Sequence, residues 1–169
     1  MATRGGDIDP GLLTFLQRHE PSLSTPDALD DLLNHKSGFL GVSGGLSNNM
    51  KTLSESDAPQ AKLAIDLFCY RLIQYIGAYA AVLGGVDTIA FGGGIGEHGA
   101  DVRHKVLSHL SGFLQLRVDE RANAAAKGVT ARISTSDSQV EVWVVEVRED
   151  EIMVREAVHE TQAPSKSQL

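Results

Sequence analysis

The sequence predicts an α/β fold, a mixed sheet flanked by helices. Three observations carry that expectation. Runs at 88–91 and 140–147 are rich in β-branched and aromatic residues and read as buried strands. A long helical periodicity occupies 58–83. Between the first strand and the next helix pattern, five glycines fall within residues 92–99, a turn where the backbone approaches a ligand without a Cβ in the way.

The elements follow in order. Asp9-Pro10 is an N-cap followed by proline at the first helical position, and it opens a helix to about residue 18. Thr25-Pro26 repeats the device, with Leu29, Leu32 and Leu33 on one face. Residues 37–54 are small and polar and read as a loop with a helical turn near Met50. In the segment 58–83, Ala64, Leu67, Phe68, Leu72, Tyr75, Ile76, Tyr79 and Val82 approximate one face, read as core or subunit interface. Gly84-Gly85 supplies the stop, giving a helix roughly 40 Å long. Beyond the glycines, a helix is expected at 101–110, a strand at 113–118 and a short helix at 119–126. Strands at 129–133 and 140–147 follow, with Trp143 facing one side of the sheet, then a helix at 149–158. Residues 1–160 form one domain in this reading, and 161–169 a disordered tail.

Composition narrows the function. A chain of 169 residues with 42% apolar content can bury a core, and its net charge of -7 argues against a nucleic-acid partner. The single cysteine, Cys69, cannot form an internal disulfide, which suits a reducing cytoplasm. No apolar run approaches the ~20 residues of a membrane helix, and no apolar h-region follows Met1. The six histidines show no zinc-type spacing.

Four stretches carry candidate chemistry. The strand, glycine turn and helix start around 88–99 offer free N–H groups to an anion, with phosphate the expected occupant. Gly94-Ile-Gly96-Glu-His-Gly99 also matches the dinucleotide fingerprint, with Asp119 placed to read a ribose, so an NAD-binding module stays open as an alternative. Gly41-Val-Ser43-Gly-Gly45 matches the nucleophile elbow, but it lacks the strand before it and is read as a glycine-rich loop. Arg4, among small residues before a capped helix, has a planar fork suited to a phosphoryl group.

Together these stretches resemble the acetate kinase family, within the acetate and sugar kinase, heat-shock ATPase and actin superfamily. Residues 2–10, Ala-Thr-Arg-Gly-Gly-Asp-Ile-Asp-Pro, resemble its G-T-R-S-G-D-I-D-P segment, and residues 38–51 its G-L-L-G-V-S-G-x-S-S-D-M-R segment. Residues 91–98, Phe-Gly-Gly-Gly-Ile-Gly-Glu-His, resemble F-T-G-G-I-G-E-N, and residues 140–151 resemble the closing strand leading to N-E-E. The resemblance implies a ribonuclease-H-like, actin-type ATPase domain and, specifically, the C-terminal portion of such a kinase. Met1 falls inside a motif, so a truncated gene, a mis-started frame or an isolated domain is expected.

The resemblance also implies roles and ligands. The reaction is transfer of the γ-phosphoryl of ATP to acetate or propionate, with Mg²⁺, in a cytoplasmic homodimer. The isolated chain is expected to turn over acetate poorly or not at all, and a non-catalytic dimerisation remnant is the other alternative. Arg4 is the implied catalytic residue, stabilising the phosphoryl group in flight. Gly93, Gly94, Ile95, Gly96 and Glu97 would cradle the nucleotide phosphates, with His98 beside them. Asn49 and Lys51 would flank the adenosine, and Glu149, with Asp150 as second candidate, would position Mg²⁺. Asn49 and Lys51 stand where the family has Asp and Arg, Gly92 where it has Thr, and His98 where it has Asn.

Overall fold

A computed structural model describes residues 1–162, and the side chains of residues 1–158. Both proline-initiated helices form as their caps dictate. In α1 (Pro10–His19) the Asp9 carboxylate accepts from the Gly11 amide, and in α2 (Pro26–His35) the Thr25 hydroxyl accepts from Ala28. A 3₁₀ turn, Pro21–Leu23, joins them. Two short helices follow, α3 (Gly38–Val42) and α4 (Met50–Ser54). The first of these corrects the expected loop. Five residues are too few to display a periodicity, and α3 is stabilised by tertiary bonds to the N-terminal segment. The amides of Ser37, Phe39 and Leu40 donate to the carbonyls of Thr3, Met1 and Ala2.

Helix α5 (Pro59–Leu83) is the backbone of the domain, and Gly84 closes it in the left-handed conformation. Its buried residues are Ala61, Ala64, Cys69 and Ala80, and Phe68, Leu72 and Ile76 pack against the core. The expected single face therefore splits. Leu67, Tyr75, Tyr79 and Val82 are exposed, because α5 is apolar on most of its circumference and periodicity alone cannot choose the buried side. The Tyr75 hydroxyl donates to the Asp7 carboxylate, a bond that holds its ionisation above the ordinary range. Arg71 donates to the Asp7 carbonyl at 2.8 Å, so α5 also anchors the segment that carries Arg4.

Among the described residues the sheet has three strands in the order β1-β3-β2: β1 (Thr88–Phe91), β2 (Ala131–Arg132) and β3 (Glu141–Val144). β1 runs parallel to β3, pairing Ile89 with Val142 and Phe91 with Val144, while β2 is antiparallel to β3. Val142 and Val144 are completely buried, and Trp143 faces the other side with its indole N–H on Glu141. Between β1 and β2 lie α6 (Gly93–His98), α7 (Ala100–Leu114) and α8 (Glu120–Ala125). The core joins β1 and β3 to Val102, Val106, Leu107 and Leu110 of α7 and to Ala61, Ala64 and Cys69 of α5. Each fully buried Val, Leu or Ile there contributes about 1.5–3 kcal/mol relative to exposure.

The strand expected at 113–118 does not form. Phe113 and Leu114 complete α7, and Gln115 then turns left-handed at φ 51°. Only Val118 makes a bridge, to Ser134. Helix α9 (Glu149–Gln162) runs two residues into the span expected as a tail. Residues 163–169 lie outside the described residues, and so does the rest of that tail expectation.

Candidate functional site

The parallel strands β1 and β3 both end at one cleft of about 550 Å³. Ligands of open α/β sheets sit outside the carboxyl ends of such strands. Gly93, Gly94 and Glu97 line one wall, and residues 146–151 line the other. The glycine turn is itself helical: α6 starts at Gly93, whose φ of +70° only glycine adopts readily, and no side chain among the described residues caps it. The first-turn amides of a helix have no intrahelical acceptor. At Gly93 and Gly94 they lie at the cleft wall.

Glu97 is buried. Its Oε1 accepts from the Val147 N–H at 3.1 Å, which ties α6 to the link between β3 and α9. The Phe91 carbonyl, accepting from Val145 at 2.8 Å, joins the ends of β1 and β3 just before the two walls begin. Ile95 packs on the core, and His98, exposed at the end of α6, lies against Gly128.

The opposite wall is acidic. Arg148 donates to Glu146 at 3.2 Å and to Glu151 at 3.1 Å, and the bond to Glu146 leads in holding its guanidinium above the usual range. Among the described residues the exposed carboxylates of Glu149 and Asp150 have no ion pair or side-chain hydrogen bond. No group of three or more His, Cys, Asp or Glu among the described residues forms a metal cage. One or two free carboxylates on the wall of a cleft opposite glycine main chain is nonetheless a donor set of the kind that suits Mg²⁺, which keeps several of its waters.

Other expected site residues stand elsewhere. Arg4 is exposed and lines a separate hollow with Met1, Ile8, Leu13, Leu33 and Asn34. Asn49 caps α4, its Oδ1 accepting from Lys51 at 2.9 Å and Thr52 at 3.4 Å, and Lys51 is exposed in the same helix. Asn49→Ala is expected to cost about 1 kcal/mol of stability through the lost cap, read as a shift in urea midpoint. Asp119 is likewise occupied as the cap of α8, bonding the amides of Arg121 and Ala122. Ser43 is buried, ends a helix instead of a strand, and bonds Leu40 and Ser47, so no nucleophile elbow forms.

One residue packed behind the cleft wall is invisible to motif reading. Arg103 is completely buried in α7, and burial pushes its ionisation down. The available signal is its position on the apolar stripe that continues through Leu107, Leu110 and Leu114, where a cation is out of place.

Comparison with known proteins places the chain in a family. A family model described as the acetokinase family matches residues 1–155. The acetate kinase of Lacticaseibacillus paracasei is 41% identical over 162 residues, covering 94% of this chain and 40% of the relative. That of Rhodopseudomonas palustris is 42% identical over 155 residues, covering 92% and 38%. The crystal structure of Porphyromonas gingivalis acetate kinase superposes with a TM-score of 0.85 at 36% identity, over 96% of this chain and 40% of that one. A propionate kinase from Francisella tularensis gives 0.81 at 27% identity, over 92% and 39%. The chain thus spans about two fifths of the length of these relatives. Its small mixed sheet with flanking helices fits the actin-like ATPase fold of these neighbours. From residue 1 to residue 155, this chain belongs to the acetokinase family.

Proposed function

We propose that this chain is the nucleotide-binding half of an acetate kinase-type phosphotransferase, and that the cleft between α6 and the start of α9 receives the phosphates of ADP or ATP. The observation that carries the reading is the pairing of two walls at the ends of β1 and β3. Uncapped glycine amides lie on one side and unpaired carboxylates on the other. Amides suit phosphate oxygens, and carboxylates suit the cation that travels with them.

In the reaction, the bond between the γ-phosphorus and the β–γ bridging oxygen breaks. A carboxylate oxygen of acetate or propionate bonds to that phosphorus, and ADP leaves. Such transfer asks the protein for position and charge neutralisation, with no covalent intermediate. Mg²⁺ would neutralise charge on the β- and γ-phosphates. Gly93 to Gly96 would bind them through main-chain amides, with His98 at their side and Glu97 fixing the far wall. Glu149, with Asp150 second, would hold the hydrated cation. Arg4 would meet the transferring group, and Asn49, through the amide group its cap leaves free, would flank the adenosine with Lys51. The exposed Leu67, Tyr79 and Val82 of α5 would supply contact for a homodimer. The cytoplasm is the setting this reading implies.

Calorimetric titration of ATP·Mg²⁺ into the chain tests the binding step. Saturable heat with a dissociation constant below about 1 mM is expected, weakened when EDTA removes the metal. No heat at millimolar nucleotide, from a chain shown to be folded, contradicts the reading.

A further inference from the structure

Arg103 has no exposed surface and no carboxylate in salt-bridge range among the described residues. A buried charge without a counter-ion is costly unless every donor is satisfied. Here all five are. Nε donates to Asn123 Oδ1 at 2.8 Å, and Nη1 donates to the carbonyls of Gly96 at 2.7 Å and Glu97 at 3.0 Å. Nη2 donates to the carbonyls of Asn123 at 2.6 Å and Ala126 at 3.0 Å. These carbonyls lie at the C-terminal ends of α6 and α8, where helices leave acceptors unpaired and where positive charge is favoured. One guanidinium therefore closes two helices at once. A Leu or Met would fill the same volume but would leave four carbonyls and an amide oxygen unsatisfied.

The connection continues beyond α6. Glu97, whose carbonyl Arg103 holds, reaches with its carboxylate to the Val147 amide on the opposite wall of the cleft. A continuous path thus runs from α8 through Arg103 and α6 to Val147, just before the acidic start of α9. The geometry points to Arg103 as a positioning residue for the phosphate end of the nucleotide. It fixes α6 from behind, keeps the Gly93 and Gly94 amides at the cleft wall, and touches no part of the ligand. This rests on the nucleotide reading above and names the residue that regulates the geometry of that same site.

The test compares ADP·Mg²⁺ with adenosine, titrated by NMR into the wild-type chain, Arg103→Lys and Arg103→Met. A displaced α6 spoils phosphate binding and leaves the nucleoside alone. ADP affinity is expected to fall about tenfold in Arg103→Lys and about a hundredfold in Arg103→Met. Adenosine affinity is expected to stay within about twofold, because no nucleoside contact depends on this cation. Equal losses for both ligands, or unchanged ADP affinity in a folded Arg103→Met chain, overturn the inference alone. A folded wild-type chain that binds no ADP overturns the nucleotide reading and this inference with it. If neither Arg103 variant folds, Asn123→Ala decides, since it removes one acceptor of the guanidinium, along with the amide donor to the Ala100 carbonyl, and leaves the cation in place. About a threefold loss of ADP affinity with adenosine unchanged is expected there, and no loss overturns the inference.

Discussion

Gly94→Asp is expected to abolish nucleotide binding and leave the fold intact. Gly94 is exposed on the cleft wall, and a Cβ built on it meets no atom within 4 Å. It sits in the first turn of α6, where a carboxylate is mildly favourable to the helix. The new charge would stand beside the amides that bind phosphate, in a cleft already acidic at Glu146, Glu149, Asp150 and Glu151. Two like charges about 4 Å apart near a protein surface repel by about 4 kcal/mol, so a loss of at least about a hundredfold in ATP affinity follows. Thermal stability should change by less than about 0.5 kcal/mol, as for an ordinary surface substitution. Gly94→Ala is the control, with affinity kept within about threefold because the added methyl meets open space. Calorimetry paired with a melting curve reads both quantities, and undiminished binding by Gly94→Asp would remove the phosphates from this wall.

The largest stability effect is expected at Gly38→Ala. Gly38 has φ +61°, and a Cβ there would come within 2.1 Å of the Met1 carbonyl oxygen and 3.0 Å of the Arg4 carbonyl oxygen. Left-handed backbone alone costs a non-glycine residue about 1–2 kcal/mol. The overlap is with main chain, which yields only if residues 1–4 lift away. That movement breaks the bonds donated by Ser37, Phe39 and Leu40, each contributing about 1 kcal/mol. The expected total is about 3–5 kcal/mol, measured as a loss in urea unfolding free energy. Faster hydrogen exchange confined first to the amides of residues 37–40 should accompany it. A loss below about 0.5 kcal/mol would show that the N-terminal segment does not depend on this contact.

The legible parts of this fold are those where local chemistry decides. Asp9 before Pro10 and Thr25 before Pro26 announce helices because a side-chain acceptor and a fixed φ act within one turn. The strand Thr88–Phe91 and the alternation around Trp143 are equally local. What sequence reading missed depends on tertiary partners. Helix α3 hides among glycines because its bonds go to residues 1–3, some 35 positions away. The run 113–118 alternates like a strand, but the left-handed turn at Gln115 divides it between the end of α7 and a single bridge. On α5 an apolar circumference conceals which side is buried, so periodicity groups Tyr75 and Tyr79 with Phe68 although they are exposed.

The site divides in the same way. The glycine run and the acidic segment are visible as motifs, and the fold brings them together as the two walls of one cleft. Glu97 was legible only by position. That its carboxylate spans to Val147, 50 residues away in sequence, depends on β1 and β3 lying side by side. Asn49 and Asp119 show the converse, since both match functional patterns and both spend a carbonyl or carboxylate oxygen capping a helix. Arg103 matches no motif, and its role emerges only when the ends of α6 and α8 are seen to meet at one guanidinium.

The central claim is that the α6 amides and the segment before α9 enclose the phosphates, and an amide-resolved titration with ADP·Mg²⁺ addresses it directly. In ¹⁵N-labelled protein, the amides of residues 93–96 should shift furthest, followed by those of residues 147–151. Adenosine should leave both sets unmoved. Shifts confined to other parts of the chain, or none at saturating ADP, would contradict the account.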